Sequence, residues 1–156
     1  MKTRSIKDLP VFYQNSAEII GRVEKTVIGD DYKIAYLVIT SSDGSPKMVL
    51  SKDFVLTPAA VIVNDLDSIK SYAHGEELSI YEQKMGDKIF DSGGQELGNL
   101  SDFIIADDGK SVCGVEVSSG AIQDFLEGRR DIELEKIRWA SMETAVVDEG
   151  SDKGWS

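Results

Sequence analysis

Residues 20–39, IGRVEKTVIGDDYKIAYLVI, recur in outline as residues 97–117, LGNLSDFIIADDGKSVCGVEV. Each stretch opens with an apolar residue and a glycine, reaches paired aspartates and a lysine, and continues into a second apolar run. The glycines, Gly21 and Gly98, are 77 residues apart. Such a period is too long for a solenoid unit and suits two small domains, so the sequence predicts an internal duplication.

The segments around these stretches repeat as well. Val11–Tyr13 precedes the first copy as Lys88–Phe90 precedes the second, and Ala60–Asn64 resembles Thr144–Asp148. The duplication predicts four segments. They are a first domain (residues 1–66), a connector (67–79), a second domain (80–148) and a flexible tail (149–156).

The runs in each copy are short, rich in Val and Ile, and bounded by Gly, Asp and Ser. This pattern predicts an all-β fold of two tandem small β-barrels. Asp30–Lys33, Asp107–Lys110 and Asp91–Gly94 are predicted hairpin turns, since Asp bonds to nearby backbone and Gly permits positive φ. Short helical segments are expected over Leu66–Tyr72 and Ser119–Gly128.

Alternation along the strands indicates a difference between the copies. In the first copy Ile34, Tyr36 and Val38 share one face, whereas the matching face of the second copy carries Gly114 and Glu116. The surplus apolar face should be covered by the other copy, by the connector or by another subunit. A homodimer is therefore possible.

The chain carries 28 acidic and 17 basic residues, a net charge of −11. Residues 1–85 hold 10 basic and 12 acidic side chains, and residues 86–156 hold 7 and 16. This balance argues against direct nucleic-acid binding. The two basic patches, Lys2/Arg4/Lys7 and Arg129–Arg130, are short and are interpreted as solvated charge.

The sequence has no apolar run of about 18 residues, which predicts no membrane-spanning helix. The basic stretch at residues 1–7 is not followed by an apolar run, so it is not interpreted as a signal peptide. A cytoplasmic location is expected.

Catalytic and metal sites are not predicted. His74 is the one histidine and is interpreted as a connector residue, and Cys113, the one cysteine, as a small core residue. Turn chemistry accounts for the aspartate pairs without a Ca²⁺ ion. The sequence therefore predicts no cofactor, no metal and no enzyme activity.

The ordered apolar and glycine patterns resemble the PRC-barrel superfamily in both copies. The residues that carry the resemblance are Leu9–Val11, Ile20–Lys25, Gly86–Asp91, Leu97–Phe103, Val115–Gly120 and Asp124–Arg129. The superfamily includes the cytoplasmic domain of the photosynthetic reaction-centre H subunit. A related barrel in a ribosome maturation factor binds a small-subunit ribosomal protein. The resemblance implies small barrels that act as binding modules and share no catalytic constellation.

The resulting hypothesis is a noncatalytic protein-binding or adaptor module whose partner the sequence does not identify. The proposed binding residues are Tyr36, Val38, Asp124, Arg129, Arg138 and Trp139. Trp and Arg are favoured as binding anchors. Two alternatives rest on the resemblance: an accessory factor in ribosome assembly or RNA metabolism, and a soluble partner of a membrane electron-transfer complex.

Overall fold

The computed structural model describes residues 1–72, 79–120, 124, 126–141 and 143–148. These residues form thirteen β-strands, one short helix and several 3-10 turns. The predicted mainly β fold is confirmed. Predictions for His74, for the tail and for the middle of Ser119–Gly128 fall outside the described residues.

The first sheet has seven strands in the order β5-β6-β1-β2-β3-β4-β7. Their bounds are β1 Pro10–Tyr13, β2 Glu18–Ile28, β3 Ile34–Ser41, β4 Pro46–Leu50, β5 Phe54–Leu56, β6 Val61–Val63 and β7 Ile69–Ser71. The predicted helical segment at Leu66–Tyr72 is a 3-10 turn at Leu66–Ser68 that leads into β7. The predicted connector thus contributes a strand to this sheet.

The second sheet has six strands in the order β11-β10-β9-β8-β13-β12. Their bounds are β8 Lys88–Asp91, β9 Glu96–Ile105, β10 Val112–Ser118, β11 Arg130–Glu133, β12 Ile137–Trp139 and β13 Thr144–Val147. Helix α1 spans Ile80–Lys84 and precedes β8.

Six strands of each sheet follow the same order. The first three strands of each copy are antiparallel neighbours, and a later strand returns parallel to the first. That parallel pairing sets Val11 opposite Val61 and Ile89 opposite Ala145. The predicted duplication is therefore confirmed in strand order and direction.

The repeated glycines occupy equivalent positions. Gly21 lies opposite Val11 and Gly98 opposite Ile89, and in each hairpin the register shifts immediately afterwards. A Cβ on Gly21 would lie 2.6 Å from the Thr40 carbonyl oxygen, and one on Gly98 would lie 2.2 Å from that of Ser118. Both positions require glycine because the third strand passes too closely for a side chain.

The chain divides into two compact units. The first contains residues 1–83 and 105–112, and the second contains the described residues among 84–104 and 113–156. The predicted hairpin loop at Asp107–Lys110 therefore belongs to the first unit.

The acidic turns use their aspartates as predicted. Asp31 Oδ1 accepts from the Lys33 amide, and Asp108 Oδ1 accepts from the Lys110 amide. Asp91 Oδ1 closes the third turn in the same way, on Gly93 and Gln95. Such bonds hold the backbone of a tight turn without an ion.

The Lys110 side chain fixes its loop to the first unit. Its ammonium group donates to the Ser51 and Phe54 carbonyls and lies 4.1 Å from the centroid of the Phe54 ring. Burial lowers the Lys110 pKa below its ordinary value, against the opposing influence of Asp108 and Asp53. Backbone bonds from Ile34 to Lys110 and from Val112 to Tyr32 add to this attachment.

The apolar face predicted on β3 is largely covered. Ile34 is 2% exposed and Val38 is 3% exposed, while Tyr36 is half-buried. The pairing of β3 with β4 runs without a shift from Tyr36 to Thr40, so Leu37 and Val38 lie on opposite faces of the strand, and both faces are covered. The predicted cover of this face is thus supplied at Ile34 and Val38 by the chain itself, without another subunit.

The prediction that Cys113 lies in the core is wrong, because its side chain is exposed. By alternation Cys113 lies on the same strand face as Val115 and Val117, but it is the second residue of β10. Ala35, one residue after the start of β3, is exposed too. In both copies, then, the second residue of the third strand is exposed although the first, Ile34 or Val112, is buried.

Candidate functional site

Tyr36 and Val38 do not form an exposed patch. The Tyr36 ring lies 6.4 Å from the Tyr72 ring, centroid to centroid, at a tilt of 49°. Val38 is buried, so a partner cannot reach its side chain without a change in the strand. Their role in binding stays a prediction, and of the two side chains only half-buried Tyr36 is accessible.

Asp124 and Arg129 do lie together. Arg129 also contacts Glu116, which was not among the predicted binding residues. Arg129 Nη1 is 2.9 Å from Glu116 Oε1, and Arg129 Nε is 3.4 Å from Asp124 Oδ2. The Glu116 side chain is only 3% exposed. The hydroxyl of Ser101 also donates to it, at 2.8 Å. A buried carboxylate needs such partners because its desolvation is costly.

Asp124 also organises the backbone that precedes it. Its carboxylate accepts from the Ser118 hydroxyl at 2.5 Å and from the Ser119 amide at 2.9 Å. These hydrogen bonds, chiefly that of Ser118, lower the Asp124 pKa, and Arg129 adds to the effect. Gly128 has a φ of 78° and donates to the Asp124 carbonyl, as expected where a helical turn ends. The predicted binding pair is thus engaged in internal contacts.

Arg138 and Trp139 lie on β12, an edge strand of the second sheet. Arg138 is exposed, whereas Trp139 is half-buried with the Lys84 ammonium 4.5 Å from its ring centroid. Lys84 Nζ lies 3.7 Å from Asp87 Oδ2 as well. Burial raises the Asp87 pKa, although Lys84 opposes the shift. On this edge strand the Arg138 side chain is exposed, whereas the Trp139 ring is already in contact with the Lys84 ammonium group.

A candidate site that the sequence did not predict lies in the first unit, beside β2. A cavity of about 420 Å³ opens where the N-terminal segment, β2 and the end of β3 meet. Its lining residues are Lys7, Asp8, Ile19, Gly21, Arg22, Val23, Glu24, Thr40, Ser41 and Ser42.

A second cavity of about 280 Å³ adjoins the first. Its lining residues are Thr3, Arg4, Lys7, Glu24, Lys25, Thr26, Tyr81 and Glu82. Lys7 and Glu24 line both cavities. We call the two together the Lys7 groove, since this side chain stands where they join.

The backbone explains why the N-terminal segment lines this groove. Residues Thr3–Ser5 form a 3-10 turn, and Ile6 behind it is fully buried. The Asp8 amide then donates to the Val23 carbonyl at 2.8 Å, and the Val23 amide donates to Leu9 at 2.9 Å. This reciprocal pairing ties the segment to β2 and sets Lys7 beside it.

The charges of the Lys7 groove fall into two classes. Lys25 pairs with Glu82 at 3.1 Å, and Glu24 accepts from the Thr40 hydroxyl at 3.2 Å. Arg22 donates to the Asp8 carbonyl at 3.1 Å. Across the described part of the chain, neither Arg22 nor exposed Lys7 has a carboxylate within ion-pair distance. Within the described residues, Lys7 and Arg22 therefore line the first cavity without an ion-pair partner, as do the carboxylates of Asp8 and Glu24.

Sequence reasoning could have found half of this site. The short patch Lys2/Arg4/Lys7 was visible, and its members Arg4 and Lys7 line the groove. Arg22 and Lys25 join them only through the pairing of the N-terminal segment with β2. The order of charged residues along the sequence does not show that contact.

Within the residues that the structure describes, no three or more His, Cys, Asp or Glu side chains are grouped to hold a metal ion. Among the same residues, every helix is too short or too polar to cross a membrane.

No protein-family model matches the chain, and no curated protein matches it. Among solved structures it is similar to a putative 16S ribosomal RNA processing protein, RimM, from Pseudomonas aeruginosa. The sequence identity is 15% and the TM-score 0.34, over 86% of this chain and 98% of that chain. The PRC-barrel resemblance stays a prediction.

Proposed function

We propose that the protein is a noncatalytic protein-binding module and that its partner docks in the Lys7 groove. One observation carries this proposal: two adjoining cavities present charged side chains of both signs, cations outside any ion pair among them, beside an exposed apolar side chain. Lys7 and Arg22 supply the cations, and Ile19, which is 47% exposed, supplies the apolar contact. Mixed polar and apolar lining of this kind is typical of protein–protein interfaces.

The shape of the groove favours a chain over a small molecule. Small-ligand sites are concave and largely enclosed. Here the cavities of about 420 and 280 Å³ open side by side along β2 and are lined by charged and hydroxyl side chains. A polypeptide can follow both cavities and place successive side chains in each.

The proposed role needs no reaction at the groove. Ser41 carries the hydroxyl that most resembles a nucleophile there, and it contacts Asp43 and Ser45 in the turn between β3 and β4. Asp43 also accepts from the Ser45 amide, so this set closes a tight turn. Its contacts account for the hydroxyl as a structural element.

Site-specific photocrosslinking tests the proposal. A photoreactive amino acid replaces Ile19 in the groove or, as the matched control, Leu66, which is 48% exposed and lines neither cavity. Full-length protein is irradiated in its native cells and adducts are identified by mass spectrometry. We expect a discrete protein adduct at position 19 that is absent at position 66.

The adduct must also depend on the groove itself. Adding Lys7→Gln and Arg22→Asn to the position-19 protein should remove or weaken it, whereas adding Lys70→Gln should not. Equal adducts at positions 19 and 66, or no adduct at 19, would contradict protein binding at the groove.

A role in ribosome assembly or RNA metabolism is the alternative prediction. Sedimentation with ribosomal subunits at low salt tests it, because a stable accessory factor would move with one subunit. The further prediction, a soluble partner of a membrane electron-transfer complex, is tested by membrane fractionation.

A further inference from the structure

We infer that residues 105–112, the guard segment, cover the free edge of the first sheet, and that loss of the Lys110 contact would let strand β5 pair with β5 of a second copy of the chain. This conformational device lies outside the Lys7 groove and does not rest on the proposed function. It follows from the direction of the backbone groups of β5 and from the residues that cover them.

Strand β5 lies at the edge of its sheet, with β6 as its neighbour. Where the β5–β6 hairpin closes, the Thr57 amide donates to the Ala60 carbonyl at 2.9 Å, so Thr57 belongs to a hydrogen-bonded pair. Such pairs alternate along an antiparallel ladder, so Val55 also bonds to β6. The amides and carbonyls of Phe54 and Leu56 therefore point away from β6, toward the free edge.

The guard segment lies against both of these outward carbonyls. The Lys110 ammonium donates to the Phe54 and Ser51 carbonyls and lies 4.1 Å from the centroid of the Phe54 ring. A Cβ added to Gly109 would lie 3.2 Å from the Leu56 carbonyl oxygen, so the backbone of the segment covers that end of the strand. Another strand cannot approach this edge while the segment stays in place.

Backbone hydrogen bonds hold the guard segment to the tip of the β2–β3 hairpin. The Ile34 amide donates to the Lys110 carbonyl at 2.7 Å, and the Val112 amide donates to the Tyr32 carbonyl at 2.9 Å. Both amides are protected from exchange with water only while the segment is attached. They therefore report whether the guard is in place.

The edge beneath the guard is complementary to itself. Two β5 strands paired antiparallel about a twofold axis set Val55 opposite its counterpart, and Phe54 of each chain opposite Leu56 of the other. The outward groups can then form up to about four hydrogen bonds. Val55 is 52% exposed, and β5 carries no charged residue of its own. An edge strand of this kind needs a cover to stay unpaired.

The first copy supplies the matched control. Lys33 holds the place in its hairpin that Lys110 holds in the second copy, after the same paired aspartates. Lys33 is exposed, whereas burial lowers the pKa of Lys110. The same substitution at the two positions makes the same change of charge, but only the change at Lys110 acts on the contact with β5.

Hydrogen exchange resolved by NMR tests the role of Lys110 in the full chain. Lys110→Glu sets a carboxylate against two backbone carbonyls and should detach the guard segment. We expect the protection factors of the Ile34 and Val112 amides to fall at least about tenfold. In Lys33→Glu they should stay within about twofold of the wild type, as expected for an exposed charge.

Analytical ultracentrifugation tests the pairing of β5. Up to about 0.5 mM, the weight-average mass of Lys110→Glu should rise toward that of a dimer, because so short an edge supports only weak association. Lys33→Glu and the wild type should stay monomeric over the same range. Adding Val55→Glu to Lys110→Glu should abolish the association, because like charges would face each other across the twofold axis.

Each result supports or overturns the inference. Unchanged protection factors in Lys110→Glu would show that Lys110 does not hold the segment, and detachment without self-association would show that the segment is not a guard. Association that survives Val55→Glu, or a wild type that already associates, would overturn it too. If circular dichroism shows that Lys110→Glu is unfolded, Lys110→Gln takes its place in both measurements with the same criteria. The crosslink at position 19 tests the Lys7 groove independently of these outcomes.

Discussion

The two copies share a backbone plan and differ in what they place on it. Strand order, the parallel return strand, the close-approach glycines and the aspartate turns are all repeated. The side chains diverge on this shared backbone both inside the core and at the surface. Val38 of the first copy corresponds to Glu116 of the second, and Arg22 corresponds to Asn99.

The Arg22 and Asn99 pair shows how such divergence can create a site. Both side chains donate to the carbonyl of a residue with positive φ, Asp8 in the first copy and Gly86 in the second. The hydrogen bond supports the same backbone path in each. Only arginine also has a positive charge and further N–H donors that a ligand can contact.

The Val38 and Glu116 pair shows a second kind of divergence. The buried position in the third strand is apolar in the first copy and ionic in the second. The second copy supplies Arg129 and Ser101 as partners, and the first has no corresponding pair at Val38. A buried charge is tolerated only with such compensation.

Exchanging these residues should give the largest effect on stability. Val38→Glu buries a carboxylate in a place built for an apolar side chain, and we expect a loss of about 4 kcal/mol in the free energy of unfolding. Glu116→Val should cost less than about 2 kcal/mol, because Arg129 is 45% exposed and can be hydrated when its partner is removed. Urea unfolding followed by circular dichroism measures both.

The asymmetry of that exchange is the informative result. Equal losses for the two substitutions would mean that the third strands of the two copies are equivalent environments. A loss below about 1 kcal/mol in Val38→Glu would show that position 38 reaches solvent easily, contrary to its 3% exposure.

The repeated glycines test whether the close approach of the third strand is a feature that both copies share. Gly98→Ala should destabilise by about 3 kcal/mol and Gly21→Ala by about 2 kcal/mol, since a Cβ would meet backbone oxygen at 2.2 Å and 2.6 Å respectively. Gly93→Ala is the control, because its Cβ would lie 3.3 Å from a side-chain oxygen of Asp91. The same urea titrations apply. If Gly93→Ala cost as much as Gly98→Ala, close strand approach would not be the reason for the repeated glycine.

Much of the shared plan could be predicted from sequence, because it depends on local signals. Apolar runs, the glycine spacing and aspartate turns each occupy a few consecutive residues, and Asp31 and Asp108 form the bonds expected of them. What could not be predicted is which strand faces are covered. Leu37 and Val38 lie on opposite faces of β3, as alternation predicts, yet both are buried, and the sequence of the strand alone does not show what covers each face.

The candidate site was predicted less well, for a related reason. Asp124 and Arg129 were predicted as binding residues and lie in contact, but buried Glu116, which also pairs with Arg129, lies on an apolar strand and was not among them. The Lys7 groove brings Lys7 to Arg22 through backbone pairing between Asp8 and Val23. Contacts of this kind become visible only when the strands have been placed.

Asp87 corresponds to Leu9 of the first copy, so this position is polar in one copy and apolar in the other. The pH dependence of stability tests the environment of Asp87. Burial raises the Asp87 pKa in the folded chain. The unfolded chain therefore releases this proton first, and stability is lost as the pH rises from the ordinary pKa through the folded one. Relative to the wild type, Asp87→Asn should gain stability between about pH 3 and about pH 7.

Asp124→Asn is the counterpart with the opposite sign. The pKa of Asp124 is lowered, so its contribution is present above the ordinary pKa and is lost as the pH falls through the folded one. Relative to the wild type, this variant should therefore lose stability over the same rise in pH. Thermal unfolding across the pH range measures both, and the same sign for the two variants would refute the assigned environments.

The smallest expected effect is at Cys113, where the two copies agree. Ala35 holds the equivalent place, and both side chains are exposed although they alternate with core residues. Cys113→Ala should therefore change the free energy of unfolding by less than about 0.5 kcal/mol, as expected for a surface substitution. The wild-type thiol should also react fully with Ellman's reagent in the absence of denaturant. A thiol that reacts only after unfolding would place Cys113 in the core, and the start of the third strand would then differ between the copies as positions 38 and 116 do.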